Sequence, residues 1–418
     1  MKRSTPTKKR SSANTKSKKA RNSRRTTDSS KAAVSRSSVL IVAGEESGDI
    51  LGGAIAREVR KAAPRPPWLW GCGGSRMAAA GVEIFYPSEK LATIGFWEAA
   101  KNYRRLTKII AQLVDEAVKR GTQEAWLIDF PGFNLVLAQK LKEKGIRSTM
   151  IVSPTVWAWK YNRVFKIRDR FERVLCLYDF EPEIYNKIGV EAHYIGHPLT
   201  TETATFKKKI AREGNPLKDV SQLKSVFKAG KQIIAIMPGS RPAEIQHHTR
   251  RILDGVRLFQ KQNPDCAFVI PAANAKIHDI LSKYELPPNT YLVEYSAPYV
   301  LSVASAAIAC SGTVTLECAL FNVPHLILYR SSWMSYGIFK GVIRIPYIGM
   351  VNVLAGRFIV QEFLQHRLTA VNIASELHRI LSDEAYRTTQ QGELRQIAKR
   401  LTAYEPARQA AKLLLSKP

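Results

Sequence analysis

Residues 233–244, Ile-Ile-Ala-Ile-Met-Pro-Gly-Ser-Arg-Pro-Ala-Glu, constrain the fold more than any other stretch of the chain. An unbroken apolar run dominated by isoleucine is what a parallel strand buried on both faces requires. Pro238, Gly239 and Ser240 end that run abruptly, and Pro242 and Glu244 then favour the first turn of a helix. A strand that passes through a glycine turn into a helix leaves backbone N–H groups converging on one point, with the helix dipole behind them. Arg241 adds a forked, permanent positive charge there, suited to a phosphate. An ordinary strand-to-helix turn with a surface arginine has the same pattern, so the weight falls on how the rest of the chain repeats it.

It repeats throughout. A buried strand at 38–43 runs into Gly44-Glu45-Glu46-Ser47-Gly48-Asp49 and a helix from Ile50 to about Lys61. The spacing is not G-x-G-x-x-G, so a dinucleotide fingerprint is not supported. Two carboxylates and a serine favour hydroxyl recognition or acid–base chemistry, while Asp49 is expected to cap a helix. Further strands are expected from Trp68, at 83–86, 125–128, 147–152, 173–177 and 192–195. Asp129 follows the fourth strand at its carboxyl end, where ligands of open α/β sheets sit, which makes it either a catalytic carboxylate or a turn residue. Trp157 and Trp159 could stack on a sugar, line an acyl-chain channel or fill the core. The polar, lysine-rich 200–231 is expected to connect this half to a second, with strands near 233–237, 267–270, 291–293, 306–309 and 325–329. There a second glycine turn, Ser311-Gly312-Thr313, opens a helix and can hold a phosphate. Glu317, one turn inside, is placed to accept two hydrogen bonds from a ribose diol, or is simply a first-turn acid.

At 418 residues the chain can build two full cores, and its net charge of +29 calls for anionic partners: phosphates, nucleic acid or an anionic membrane surface. Residues 1–37 read as a disordered basic tail by composition, and no apolar run follows the charges as a secretory signal would need. Five scattered cysteines without a C-x-x-C pair argue for a reducing compartment, against a disulfide framework and against structural zinc. No apolar run approaches the roughly 18 residues of a membrane span. Between 95 and 113, Phe96, Tyr103, Leu106 and Ile110 recur at helical spacing with Trp97 beside them, bordered by Lys101, Arg104, Arg105 and Lys108. Such a face suits a helix lying on a membrane, although most amphipathic helices face their own core. The apolar stretch 333–356, interrupted by Lys340 and Arg344, is a second candidate for lipid contact.

Two similar α/β halves joined by a linker, with a ribose carboxylate and phosphate turns in the second, look like a GT-B glycosyltransferase. Taken in order, Gly44-Glu45-x-Ser47-Gly48-Asp49, Asp129-x-Pro131-x-Phe133-Asn134, Ser153-Pro154-x-Val156-Trp157-Ala158-Trp159, Gly196-His197-Pro198-Leu199, Pro238-Gly239-Ser240-Arg241, Ser311-Gly312-Thr313-x-x-x-Glu317 and Asn352-x-Leu354-Ala355-Gly356-Arg357 resemble the lipid-A-disaccharide synthase family over about residues 38–400. Each motif is weak singly; the ordered set is specific. Val351 and Gln361 stand where prolines are expected in that family.

The resemblance implies two Rossmann-like domains facing each other across a cleft: 38–200 on the acceptor and lipid side, a linker region at 201–231, 232–367 on the UDP-sugar side, and C-terminal helices at 368–418. It implies an inverting transfer from UDP-diacylglucosamine to diacylglucosamine 1-phosphate (lipid X), with no metal and no cofactor. Asp129 would be the base, with Glu45 and Ser47 also at the reacting cleft. Gly44, Ser240, Arg241, Ser311, Gly312, Thr313, Glu317 and Asn352 would hold the donor. Phe96, Trp97, Tyr103, Leu106 and Ile110 would meet lipid. The expected setting is cytoplasmic, peripheral on the inner face of the inner membrane, with a homodimer through the C-terminal region and no specific nucleic acid. The alternatives are a UDP-N-acetylglucosamine epimerase or a GT-B transferase of soluble sugars, and, in another class, a basic nucleic-acid-binding protein.

Overall fold

The computed structural model describes residues 37–92, 99–331 and 345–416, with the backbone alone at 92 and 99–103. The basic tail, Phe96, Trp97 and residues 333–344 of the second apolar stretch therefore lie outside the described residues, as does the side chain of Tyr103.

Two parallel sheets organise the chain. The first holds β1 (Ser38–Ala43), β2 (Trp68–Gly73), β3 (Glu83–Pro87), β4 (Glu124–Ile128), β5 (Arg147–Ile151), β6 (Arg173–Cys176) and β7 (Glu191–Tyr194), in the order β3-β2-β1-β4-β5-β6-β7. The second holds β8 (Ile233–Met237), β9 (Ala267–Pro271), β10 (Thr290–Val293), β11 (Ala306–Cys310), β12 (His325–Tyr329) and β13 (Glu362–Leu364), in the order β10-β9-β8-β11-β12-β13. Strand order reverses between β1 and β4 and again between β8 and β11, and such switch points open a crevice at the carboxyl ends. Register sets what faces that crevice. Ala43 pairs with Ile128, so the Gly44 and Asp129 loops leave the first sheet side by side. Ala309 pairs with Met237, so the Pro238 and Ser311 turns do the same in the second.

The central strands β1, β8 and β11 are buried along their whole length because helices cover both faces. Val39 and Ile41 of β1 pack beneath α1 (Glu46–Ala62) with Leu51, Ile55 and Val59. Leu40 and Val42 face the opposite side. The short α2 (Ser75–Ala79) follows β2, and α3 (Ala99–Lys119) precedes β4. On α3, Ile109, Ile110, Leu113, Val114 and Ala117 are buried in the core and Leu106 packs against it. The lipid-contact expectation is thus corrected at Ile110, and Leu106 is half-buried: this part of the apolar stripe is the helix's own core face.

Next come α4 (Pro131–Lys142), α5 (Glu181–Asn186) and α6 (Pro198–Glu213). The last carries the chain to the second half, where Phe206 meets Tyr299 edge-on at 5.4 Å and Lys207 Nζ donates to the Leu320 carbonyl at 2.7 Å. Much of the expected linker is therefore an ordered, packed helix. The second half adds α7 (Pro242–Gln260), α8 (Val314–Phe321), α9 (Met350–Ala355), α10 (Ala370–Ser382), α11 (Glu384–Leu401) and α12 (Pro406–Leu415). The final helix crosses back, burying Ala407, Ala410 and Leu414 in the core beneath α1. Among the described residues no helix is long and apolar enough to cross a membrane.

Candidate active site

The first sheet contributes a carboxylate on a strained loop. Asp129 and Phe130 both take left-handed backbone angles, φ 46° and 47°, and the neighbouring Val152 has φ 74°. Non-glycine residues held this way cost free energy, and a β-branched one costs more, so such strain gathers where surrounding structure enforces it at a site. The enforcement is visible. Asn134 Nδ2 donates to the carbonyls of Ile128 (3.2 Å) and Asp129 (2.6 Å), while the Asp129 N–H donates to Ile151 at 2.8 Å. Burial, and then the charge of nearby Glu45, raise the Asp129 pKa above the ordinary carboxylate range. Asp129 and Ser47 line a cavity of about 430 Å³ together with Glu46, His197 and Glu202.

Two first-loop residues act elsewhere. Gly44 was expected on the donor, but it is buried, and a Cβ there would lie 2.5 Å from Phe130 Cδ1. Its missing side chain makes room for that ring. Asp49 does cap a helix, though not its own: its carboxylate accepts the N–H groups of Gly74, Arg76 and Met77 at the start of α2.

The second sheet contributes a cavity of about 530 Å³ lined by Ser240, Arg241, Ser311, Gly312, Thr313 and Glu317. Its two turns differ. At the first, Glu244 Oε2 accepts the Ser240 and Arg241 N–H groups at 3.2 and 3.3 Å, forming a capping box. Those donors, expected to be free for an anion, are already engaged, which corrects the sequence reading. Arg241 itself projects with its side chain 81% exposed. His248 braces this turn from below, Nδ1 bonding the Pro238 carbonyl at 2.9 Å and Nε2 accepting the Arg330 N–H at 2.9 Å. At the second turn, α8 has no side-chain cap, and the Gly312 Cα faces open space at φ 147°. Its N-terminal N–H groups are the ones left for an anion. The Ser311 hydroxyl is not a spare donor, because it donates to the Ile348 carbonyl at 3.0 Å.

Glu317 has no side-chain partner among the described residues, and burial followed by the charge of Glu202 pushes it up to about 7. Glu202, on α6, escaped the sequence reading because nothing in a polar helical stretch marks one acid among many. Together with Leu199 and Thr313 it lines both cavities, so the Asp129 side and the Arg241 side meet at these residues.

Asn352 is a further correction. It is fully buried, donating to the Val360 carbonyl and Glu362 Oε1 at 2.8 Å each and accepting from Ile359 and Val360 N–H at 2.9 Å. All four of its hydrogen-bonding positions are spent inside the protein, so it shapes the loop before β13 and is not among the residues lining either cavity. The polar loop expected here is helix α9 followed by that clamp. Of the two tryptophans, Trp157 donates to the buried Glu181 at 3.1 Å and packs edge-on against Phe180, whereas Trp159 carries Lys160 and Arg163 over its ring.

Solved structures share this architecture. The glycosyltransferase of kitacinnamycin superposes with a TM-score of 0.61 at 14% identity, over 91% of this chain and 98% of that one. The UDP-GlcNAc 2-epimerase of Neisseria meningitidis bound to UDP-GlcNAc gives 0.54 at 13% identity, over 90% and 98%. At such identities the likeness establishes the fold, two Rossmann-like domains of GT-B type. Sequence relatives go further. The lipid-A-disaccharide synthase of Coxiella burnetii (strain RSA 331 / Henzerling II) is 34% identical over 383 residues, 91% of this chain and 98% of the relative. That of Burkholderia thailandensis is 34% identical over 357 residues, 85% and 90%. The model of the lipid-A-disaccharide synthetase family matches residues 39–414, and the chain belongs to that family.

Proposed function

We propose that the protein is an inverting glycosyltransferase joining UDP-2,3-diacylglucosamine to 2,3-diacylglucosamine 1-phosphate. The observation that carries this reading is the meeting of two cavities at Leu199, Glu202 and Thr313, one holding a carboxylate of raised pKa and the other an uncapped helix N-terminus beside Arg241. The acceptor's primary hydroxyl loses its proton to Asp129 as its oxygen forms the new bond to the donor C1. The C1–O bond to phosphate breaks with its electron pair going to UDP. Arg241 and the N–H groups after Ser311 stabilise the charge that develops there. Glu317 accepts hydrogen bonds from the ribose diol, and Glu45 and Ser47 complete the acceptor side. Acylated substrates suit an enzyme peripheral on the inner face of the inner membrane, and a C-terminal homodimer completes the reading.

The test is UDP release from UDP-2,3-diacylglucosamine with and without lipid X, with product mass as a second readout. Acceptor-dependent release that yields a disaccharide supports the reading. Release without acceptor, or from UDP-N-acetylglucosamine alone, replaces it with epimerase-like chemistry.

A further inference from the structure

His197 does more than end a loop. Its Nδ1 accepts the Leu199 N–H at 3.2 Å and so caps α6. A backbone N–H can only donate, so Nδ1 carries no hydrogen and the neutral ring bears its proton on Nε2. The ring stays neutral: burial pushes its pKa down to about 4, and a cation at a helix N-terminus is disfavoured by the dipole. The imidazole is also held in place, with Tyr178 packed at 5.5 Å between ring centroids and the Thr200 hydroxyl donating to the His197 carbonyl at 2.7 Å. Nε2–H finds no acceptor among the described residues, and the residue lines the cavity that contains Asp129. Among the described residues neither Lys nor Arg lines that cavity, whose charged groups there, Glu46, Asp129 and Glu202, are all carboxylates. A hydroxyl is the group that can accept from an imidazole while donating to a carboxylate.

We propose that His197 Nε2–H donates a hydrogen bond to a hydroxyl oxygen of the acceptor sugar and thereby orients that sugar toward Asp129. This rests on the acceptor-side reading of the Asp129 cavity. The two ring nitrogens separate by substitution. His197→Asn keeps an oxygen where Nδ1 accepts from Leu199 and loses the distal donor; His197→Gln keeps a distal N–H and loses the cap. Acceptor KM at saturating donor, UDP affinity by calorimetry and Tm are measured for both. His197→Asn is expected to keep Tm and UDP affinity while its acceptor kcat/KM falls roughly tenfold, the scale of one lost hydrogen bond in a partly buried site. His197→Gln is expected to lower Tm yet recover most of that loss. Wild-type acceptor kinetics in His197→Asn, with only Tm changed in His197→Gln, would show that the imidazole is a helix cap and nothing more. Failure of the wild-type protein to form any disaccharide is the separate result that overturns the functional reading beneath this proposal.

Discussion

Arg400 and Asp179 form a two-pronged ion pair, Nε to Oδ2 at 2.7 Å and Nη2 to Oδ1 at 2.8 Å, joining α11 to the loop that follows β6 of the first sheet. The remaining Arg400 nitrogen donates to the Leu354 carbonyl on α9, so one guanidinium ties the first half to two helices of the second. Tyr178 and Phe180, on either side of Asp179, pack on the core formed by α8, α9 and α11. Arg400→Ala is expected to lower stability by about 1–2 kcal/mol, the value of charged hydrogen bonds discounted for partial exposure, measured as a shift in urea midpoint. Asp179→Asn should cost less, because an amide still accepts one of the two bonds.

Asp129→Asn removes the base while keeping its shape. The expected result is a fall in kcat of about 10²–10⁴-fold with UDP affinity unchanged, read by disaccharide formation and calorimetry. Full activity in this variant would leave Asp129 as a strained turn residue and no more.

Glu317 predicts a pH dependence of nucleoside binding. Its carboxyl is raised to about 7, so it is largely neutral below that pH and charged above it. The charged form accepts both diol hydrogens, so uridine affinity should rise as pH increases from about 6 to 8. Uridine is the probe because it carries no phosphate to titrate in that range. Glu317→Gln should lose the dependence, and Glu202→Gln should move the rise to lower pH by removing the neighbouring charge. The same shift acts on folding with a defined sign. The native state keeps a proton that the unfolded chain has released, so this contribution to stability is full at low pH and is lost as pH rises from the ordinary glutamate range to about 7.

Gly44→Ala tests the close approach of two loops. The new Cβ would meet Phe130 at 2.5 Å, and Phe130 shares the left-handed pair with Asp129. Relief requires the ring or the strained turn to move, so kcat should fall while UDP affinity, set by the other sheet, stays within about twofold, since distant sites act independently.

Asn352→Ala is expected to act on stability before function. It strips one buried partner from Glu362 and leaves two N–H groups and a carbonyl unsatisfied, a loss of roughly 2–4 kcal/mol by denaturant titration. A selective loss of donor affinity with unaltered stability would restore the direct donor-binding role that its burial argues against.

The strands were legible because parallel strands covered on both faces appear as continuous apolar runs: residues 38–43, 233–237 and 325–329 are strands with those bounds. β13 escaped, since Glu362-Phe363-Leu364 is too short and too polar at its start to stand out. Asp129, Arg241 and the Ser311–Thr313 turn were legible as residues following strand ends, and Glu317 as an acid one turn inside the next helix, positions that follow from local punctuation. The partners of those residues were not. That Glu244 fills the first anion turn, that Asn352 is buried in a clamp and that Ile110 faces the core depend on which atoms meet after folding, and spacing along the chain carries none of that.

The sequence by itself determined the alternation of buried strand, glycine turn and helix, and with it two doubly wound sheets and the loops at their carboxyl ends, because hydrophobic periodicity and turn chemistry are local properties. Only the tertiary structure decided that Glu202 and Leu199 from the crossing helix stand beside Thr313, so that the Asp129 and Arg241 cavities share a wall. Residues more than a hundred positions apart are brought together there by sheet register and helix packing, and those depend on the burial of whole faces at once.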